Sequence, residues 1–524
     1  MITLRTHFHQ VNLSLHEILG KEYIEAVCAA RAALAGGTTA SLRAAAVRKV
    51  ALFPDSFHRR LIALLPRVGQ RLTRGLGASA RGATSADFAA HAHPGGAPLS
   101  AMGYYRLGEN GRLGLSTKSE HYHVPLGHRF PGYELLALAR RLGIPNAAHN
   151  NMRGHITRSL EEELIRTAAG LPLGERDGIR RTLSSKSRTV LNRVLNLETG
   201  SLAAEAAVKL LLARFYRPES ISPKPKYEGR RPVFVVIGDK DGELQANYHG
   251  TTVLTQMMRG MWPGLLGRLE KDSALAVRCV RPNSLEDLER VLRHHETARD
   301  KVAGLFHEFL MMNYGAKRLT KQFIRKAYAL CRKHDVPTVV DEIQTCVWSP
   351  EMFMFREYGV KPSIVIVGKG LPGGEYAASR ALFTSTMDTL PQFGALVTNG
   401  QEEIASLAYL VTMRWAEANA DVTAAVGKQY EERVRALAHG HREHVSAVEG
   451  RRHCLGVEFH ELRTAQAFAA CLNEAGLDIS VQTYKTGCPP SALTKLPLIA
   501  DFEVVDFVVA RVEEALGRLS ERQS

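Results

Sequence analysis

The chain has 524 residues, is 45% hydrophobic and 23% charged, and carries a formal net charge of +15, an ordinary balance for a soluble globular protein with room for two or three domains. Its seven cysteines (Cys28, Cys279, Cys331, Cys346, Cys454, Cys471, Cys488) are scattered and form no CxxC pair, which argues against a disulfide framework or a zinc site and for a reducing cytoplasm. No apolar run approaches membrane-spanning length, residues 1–10 lack the apolar core of a signal peptide, and no block of five Lys or Arg occurs, so the positive charge reads as an anionic ligand or arginine-rich surface rather than as a nucleic-acid or membrane signature.

In chain order, residues 1–98 read as an added helical module with its linker. Helical apolar spacing runs through residues 13–35 and 41–53 and is repeated over 61–76, with a break at Pro66. Residues 1–95 hold 12 Lys/Arg and 5 Asp/Glu, and residues 75–97, rich in Gly, Ala and Ser, read as a linker. Packing or dimer stabilisation is the expected role of this module.

Residues 104–111 predict a strand and a turn at Asn110-Gly111, with a second strand to follow. A helix is expected over 160–169. At Thr199-Gly200-Ser201 a tight turn opens a helix that reaches Lys209. Free N–H groups and the dipole make such a helix start a phosphate site, although an ordinary cap has the same look. Residues 233–237 and 302–306 read as buried strands, the second ending at His307-Glu308. An amphipathic helix follows over 319–334 and a long connecting helix over 404–419. Beyond residue 422, helices alternate with short strands such as 454–459, and an amphipathic helix over 504–519 closes the chain.

The rest is organised around residues 338–374. Thr338-Val339-Val340 ends in Asp341, and Ile364-Val365-Ile366-Val367 leads into Gly368-Lys369-Gly370. Apolar runs without alternation suit parallel strands covered on both faces. Ligands of open α/β sheets bind beyond the carboxyl ends of such strands, so Asp341 and Lys369 are expected to converge on one site. A lysine and a carboxylate so placed suit pyridoxal 5'-phosphate (PLP), with the amine on its aldehyde and the carboxylate on its pyridine nitrogen. A strand-end salt bridge beside a Gly-rich turn is the plain alternative.

Three further segments decide between these. Asp341-Glu342-Ile343-Gln344-Thr345, Gly359-Val360-Lys361-Pro362-Ser363-Ile364 and Gly368-Lys369-Gly370-Leu371-Pro372-Gly373-Gly374 together resemble the signature of the class III aminotransferases, PLP enzymes of fold type I. The resemblance covers roughly residues 103–519. It implies an α/β large domain with a mostly parallel central sheet covered by helices, and a smaller α/β C-terminal domain. The boundaries it suggests are 1–98 for the extension, 99–154 for the first part of the small domain, 155–403 for the PLP-binding domain and 404–524 for the connecting helix and small domain.

The same resemblance implies roles. Gly200 and Ser201 would form the phosphate cup, Tyr248 of Tyr248-His249-Gly250 would stack on the pyridine ring, and Asp341 would pair with the pyridinium. Gln344 would bond the phenolic oxygen, and Lys369 would carry the aldehyde as a Schiff base and then act as base. Glu308 would lie on the substrate side. Thr398, in Leu396-Val397-Thr398-Asn399-Gly400-Gln401, would reach the phosphate of a partner chain, which requires a homodimer. His128, in a segment resembling the family's Gly-His-x-x-Pro, reads as structural. No metal is expected.

Departures leave the chemistry open at this level. Leu202 stands where the family often has an acid. Phe309 replaces a proline after Glu308. Cys346-Val347-Trp348-Ser349-Pro350 occupies the place of a Gly-x-Gly-Arg-Thr-Gly loop. The arginine that often precedes Leu-Pro-Pro-Leu is missing from Leu493-Thr494-Lys495-Leu496-Pro497-Leu498, and Lys495 reads as a solvated surface lysine. Transfer of an amino group between an amine and a carbonyl acceptor is the expected reaction. Decarboxylase, racemase, aminomutase and lyase chemistry, or a non-catalytic PLP-binding regulator, are the alternatives.

Overall fold

The computed structural model describes residues 8–117, 124–482 and 487–521. Its centre is a seven-stranded sheet of β1 (Leu191–Leu197), β2 (Arg231–Ile237), β3 (Ala276–Val280), β4 (Asp300–His307), β5 (Thr338–Asp341), β6 (Ile364–Val367) and β7 (Ser379–Thr384), in the order β1-β7-β6-β5-β4-β2-β3. Every pairing is parallel except those of β7, which runs antiparallel to both β6 and β1.

Side-chain alternation explains why these runs read as continuously apolar. Val340, Val365 and Val367 enter a core cluster on one face, while Val339, Ile364 and Ile366 enter a second cluster on the other. Neither face meets water, so neither tolerates polar residues. Helices α1 (Gly200–Leu212) and α2 (Lys321–Lys333) supply Ala203, Ala207 and Leu211 to one face and Phe323, Ile324 and Ala327 to the other.

The chain leaves the sheet through α3 (Glu403–Ala418), buried along nearly its whole length, and continues into α4 (Ala420–Gly440). An antiparallel sheet of β8 (Val445–Arg451), β9 (Cys454–Phe459), β10 (Ser480–Val481) and β11 (Ser491–Lys495) follows, in the order β8-β9-β11-β10, with α5 (Phe502–Glu521) closing the C-terminal part. The hairpin expected at Asn110-Gly111 forms between Tyr105–Gly108 and Leu113–Ser116. Pro98–Met102 extends it on one side and Leu477–Asp478, far along the chain, adds in parallel on the other. The backbone of His128 pairs with that of Gly103 in both directions.

The N-terminal stretch differs from its expected helical repeats. Helices span Leu15–Leu19, Lys21–Ala35, Thr39–Val47 and Asp55–Ile62, the first closed by a Ser14/Glu17 capping box. Residues 63–76 do not continue as helix. Pro66 sits in a short 3-10 turn, and the following backbone donates from Gly69, Leu72 and Leu76 to the carbonyls of Leu113, Gly111 and Glu109. Extended pairing to an open strand edge replaces the helix that apolar spacing alone favoured. The stretch is also anchored: Phe8 and Phe53 lie 5.5 and 5.9 Å, ring to ring, from the buried Trp415 of α3. Among the described residues no helix is long and apolar enough to cross a membrane.

Candidate active site

Strands β5 and β6 lie side by side, with Asp341 opposite Ile366. Their carboxyl ends therefore deliver Asp341 and Lys369 to one cavity of about 280 Å³. Gly200, Ser201, Tyr248, Glu308 and Gln344 line the same cavity. Seven of the eight residues singled out from the sequence thus meet in one place within a single chain. Thr398 does not: it is exposed on a turn and does not line the cavity.

Lys369 follows β6 after Gly368 and has φ 47°, a left-handed conformation that non-glycine residues rarely adopt. Its glycine neighbours are enforced by packing. A Cβ on Gly368 would fall 2.2 Å from Ser379 Oγ, and one on Gly370 would fall 2.7 Å from the Trp348 ring. The lysine is presented on a turn gripped from both sides.

Asp341 is 6% exposed. Its Oδ1 accepts from the Ile343 N–H at 3.1 Å, and its Oδ2 lies 3.1 Å from His249 Nδ1. A carboxylate can only accept, so His249 donates through Nδ1. His249 is itself buried, packs on Phe306, and its Nε2 has no hydrogen-bond partner among the described residues. The sequence reading saw His249 only as part of a motif; the fold makes it the side chain that orients the carboxylate.

The proposed cup is built from two segments. Thr199 caps α1 through its hydroxyl, leaving the first-turn N–H groups of Gly200 and Ser201 without intrahelical acceptors. Ser201 Oγ accepts from the Thr251 N–H at 3.1 Å, which ties α1 to the turn after Tyr248. At Gly250, φ is +121° and a Cβ would fall 2.7 Å from Ser201 Cα. Only glycine lets the two backbones approach this closely. Tyr248 presents its ring to the cavity with the Arg259 guanidinium 5.1 Å from the ring centre.

Lys495 corrects the sequence reading. It is fully buried, its ammonium sits 3.7 Å from the Trp348 ring centre and donates to Gln344 Oε1 at 3.2 Å. Strand β11 carries it inward, and its pairing with β9 could not be foreseen from the local string. An ammonium held over an indole face is partly compensated for the water it loses. Asn313, Tyr376 and Ser379 also line the cavity and were not foreseen. Ser379 reaches it because β7 runs antiparallel and so starts where its neighbours end.

Glu342, next to Asp341, serves the scaffold. It is fully buried and accepts from the Met354 and Phe355 N–H groups at 2.8 and 2.7 Å, which holds the loop that carries Trp348. Burial outweighs these bonds and pushes its carboxyl up to about 7 from 4.5. The folded protein therefore keeps this proton up to about pH 7, whereas the unfolded chain releases it near 4.5. The resulting stability is full below pH 4.5 and is lost as pH rises to 7, by up to about 3 kcal/mol at about 1.4 kcal/mol per pH unit. Melting curves taken from pH 5 to 8 should fall less steeply for Glu342→Gln than for the parent. Parallel slopes would show that this carboxyl is not the group responsible.

Comparison with known proteins agrees with this geometry. The family model described as aminotransferase class-III matches residues 173–491. Ornithine aminotransferase of Schizosaccharomyces pombe is 30% identical over 36% of this chain and 41% of its own length, and diaminobutyrate–2-oxoglutarate transaminase of Streptomyces avermitilis is 28% identical over 40% and 49%. The chain thus spans a little under half the length of these curated relatives. Among solved structures, the ornithine aminotransferase from Toxoplasma gondii matches with a TM-score of 0.62 at 18% identity, covering 81% of this chain and 90% of that one. The adenosylmethionine-8-amino-7-oxononanoate aminotransferase from Methanocaldococcus jannaschii matches at 0.64 and 18%, covering 84% and 97%. These likenesses establish a fold shared with solved aminotransferases, and the match of most of the chain to one family model, over the segment that holds Lys369, Asp341 and the start of α1, places this protein in the class III aminotransferase family.

Proposed function

We propose that this chain is a PLP-dependent aminotransferase that moves an amino group between an amine or amino acid and a carbonyl acceptor. The observation that carries the reading is the convergence of Asp341 and Lys369 from adjacent strand ends on one cavity that also holds the α1 N-terminus. The donor set fits PLP end for end. First-turn N–H groups suit a phosphate dianion, a buried carboxylate oriented by His249 suits a pyridinium, and an amine on a turn between them suits an aldehyde. When bound, the cofactor supplies an electron sink for charge developing at the substrate α-carbon.

The chain's residues do the rest. Gly200 and Ser201 hold the phosphate, joined by Thr398 of the partner subunit in a homodimer. Tyr248 stacks on the ring, Gln344 bonds the phenolic oxygen, and Asp341 keeps the ring nitrogen protonated. The Lys369 amine would hold the cofactor's aldehyde end and would move the proton at the substrate α-carbon. Glu308 faces the substrate side. The division at residues 98, 154 and 403 and a cytoplasmic location complete the proposal.

Ornithine, 2,4-diaminobutyrate and 4-aminobutyrate, each with 2-oxoglutarate as acceptor, form the donor panel suggested by the relatives' names. One carbonyl product should form for each new amine. Release of CO₂ or ammonia without acceptor turnover would replace transamination by decarboxylase or lyase chemistry. For the cup, Gly250→Val adds a side chain against Ser201 at a φ that disfavours it. PLP affinity, read by cofactor titration of the apoprotein, should fall at least about tenfold. Unchanged affinity would move the phosphate site elsewhere.

A further inference from the structure

A second cavity, of about 770 Å³, lies at the opposite ends of the strands that carry Asp341 and Lys369. Thr338, the first residue of β5, and Ser363, just before β6, line its floor; the loop that leaves α1 and the turn after β7 form its walls. It lies roughly 10 Å from Asp341 along β5, at about 3.3 Å per strand residue, and shares no lining residue with the active site.

Its charge is lopsided. Six cationic side chains line it, Arg188, Arg214, Lys224, Lys226, Arg332 and Lys361, against three carboxylates. Those carboxylates are already partly spent. Asp335 accepts from Arg214 at 2.6 Å, from Lys226 at 2.7 Å, and also from Arg188 and the Tyr227 hydroxyl. Burial raises its carboxyl, but these donors overcome it and bring it down to about 2. Asp388 pairs with Arg193 at 3.1 Å, which does not line the cavity.

Unmet donors remain. Arg214 Nη1 is buried with no acceptor among the described residues, and its guanidinium is held in place by Asp335 and by the Tyr227 ring 5.0 Å away. Arg332 and Lys361 stand exposed at the rim and make no ion pair among the described residues. Apolar surface from Ile221, Pro223 and Pro391 completes the lining. The volume lies within the range of small-molecule sites, about 300–1,000 Å³.

We propose that this cavity binds a small phosphorylated anion bearing a diphosphate group. The three positive charges in excess match a diphosphate of about three negative charges, and the guanidinium forks of Arg188 and Arg214, drawn together by Asp335, suit phosphate oxygens better than a single carboxylate. The site is independent of the aminotransfer reading, because none of its residues lies in the active-site cavity.

Calorimetric titration of the PLP-loaded protein with inorganic pyrophosphate, ADP and adenosine tests this. Pyrophosphate and ADP should bind one per chain with Kd below about 1 mM, leave the PLP absorbance unchanged, and weaken with added salt; adenosine should not bind. Tighter binding of ADP would assign a nucleoside diphosphate, and equal binding the diphosphate moiety alone. The double variant Arg332→Glu/Lys361→Glu changes only exposed, unpaired rim charges, so its melting temperature should be unchanged while affinity falls at least about tenfold. No binding by either diphosphate, displacement of PLP by them, or equal affinity in the folded double variant would overturn the proposal.

Discussion

Lys369→Ala should lose at least about 10³-fold in kcat/KM, the scale set by removing a positioned proton-transfer group, and borohydride should no longer fix the cofactor to the chain. Both effects follow from one side chain held in a left-handed turn between Ser379 and Trp348. The cup, the Tyr248 ring and Asp341 do not depend on that amine, so the variant should still take up PLP, now removable by dialysis. Retention of a borohydride-fixed adduct in Lys369→Ala would show that another amine carries the aldehyde. Loss of folding, read from the melting curve, would be inconsistent with a truncation that keeps the Cβ and so leaves the backbone strain at Lys369 unchanged.

Asp341→Asn is the second large effect. Asparagine keeps the shape and can still accept from the Ile343 N–H, but it carries no charge to hold a proton on the ring nitrogen. A loss of about 10²–10³ in kcat is expected, the range seen when one oriented electrostatic partner of a developing charge is removed. PLP binding should weaken much less, because the phosphate contacts are untouched, so kcat and cofactor affinity separate. His249→Phe should reproduce part of the loss, since His249 donates to Asp341 Oδ2 and its removal frees the carboxylate to turn. If Asp341→Asn lowers cofactor affinity and leaves kcat alone, Asp341 anchors the ring without tuning it.

Local strings carried Asp341, Lys369 and the Gly200-Ser201 turn because each lies at a strand end or helix start whose geometry is set within a few residues, whereas Tyr248, Gln344 and Glu308 were found through the family resemblance. Thr338–Asp341 and Ile364–Val367 are apolar on both faces and end abruptly in a charged residue, so their depth in the sheet and the exit of Asp341 and Lys369 at the same edge could be read directly. Thr199-Gly200-Ser201 declared a capped helix start in the same way.

What the string could not carry depends on partners distant in sequence. Lys495 looked like a surface lysine because burial of an ammonium requires a compensating environment, and Trp348 and Gln344, which supply it, lie about 150 positions away. Residues 61–76 looked helical because apolar spacing is blind to an open strand edge at residues 109–113 waiting for donors. Composition, strand burial and the lysine–aspartate pair were thus determined by the sequence itself, through local sterics and hydrophobic pattern. The orientation of Asp341 by His249, the burial of Lys495 and the basic cavity behind the sheet were decided only by the tertiary structure, because each depends on which distant backbones are brought within hydrogen-bonding distance.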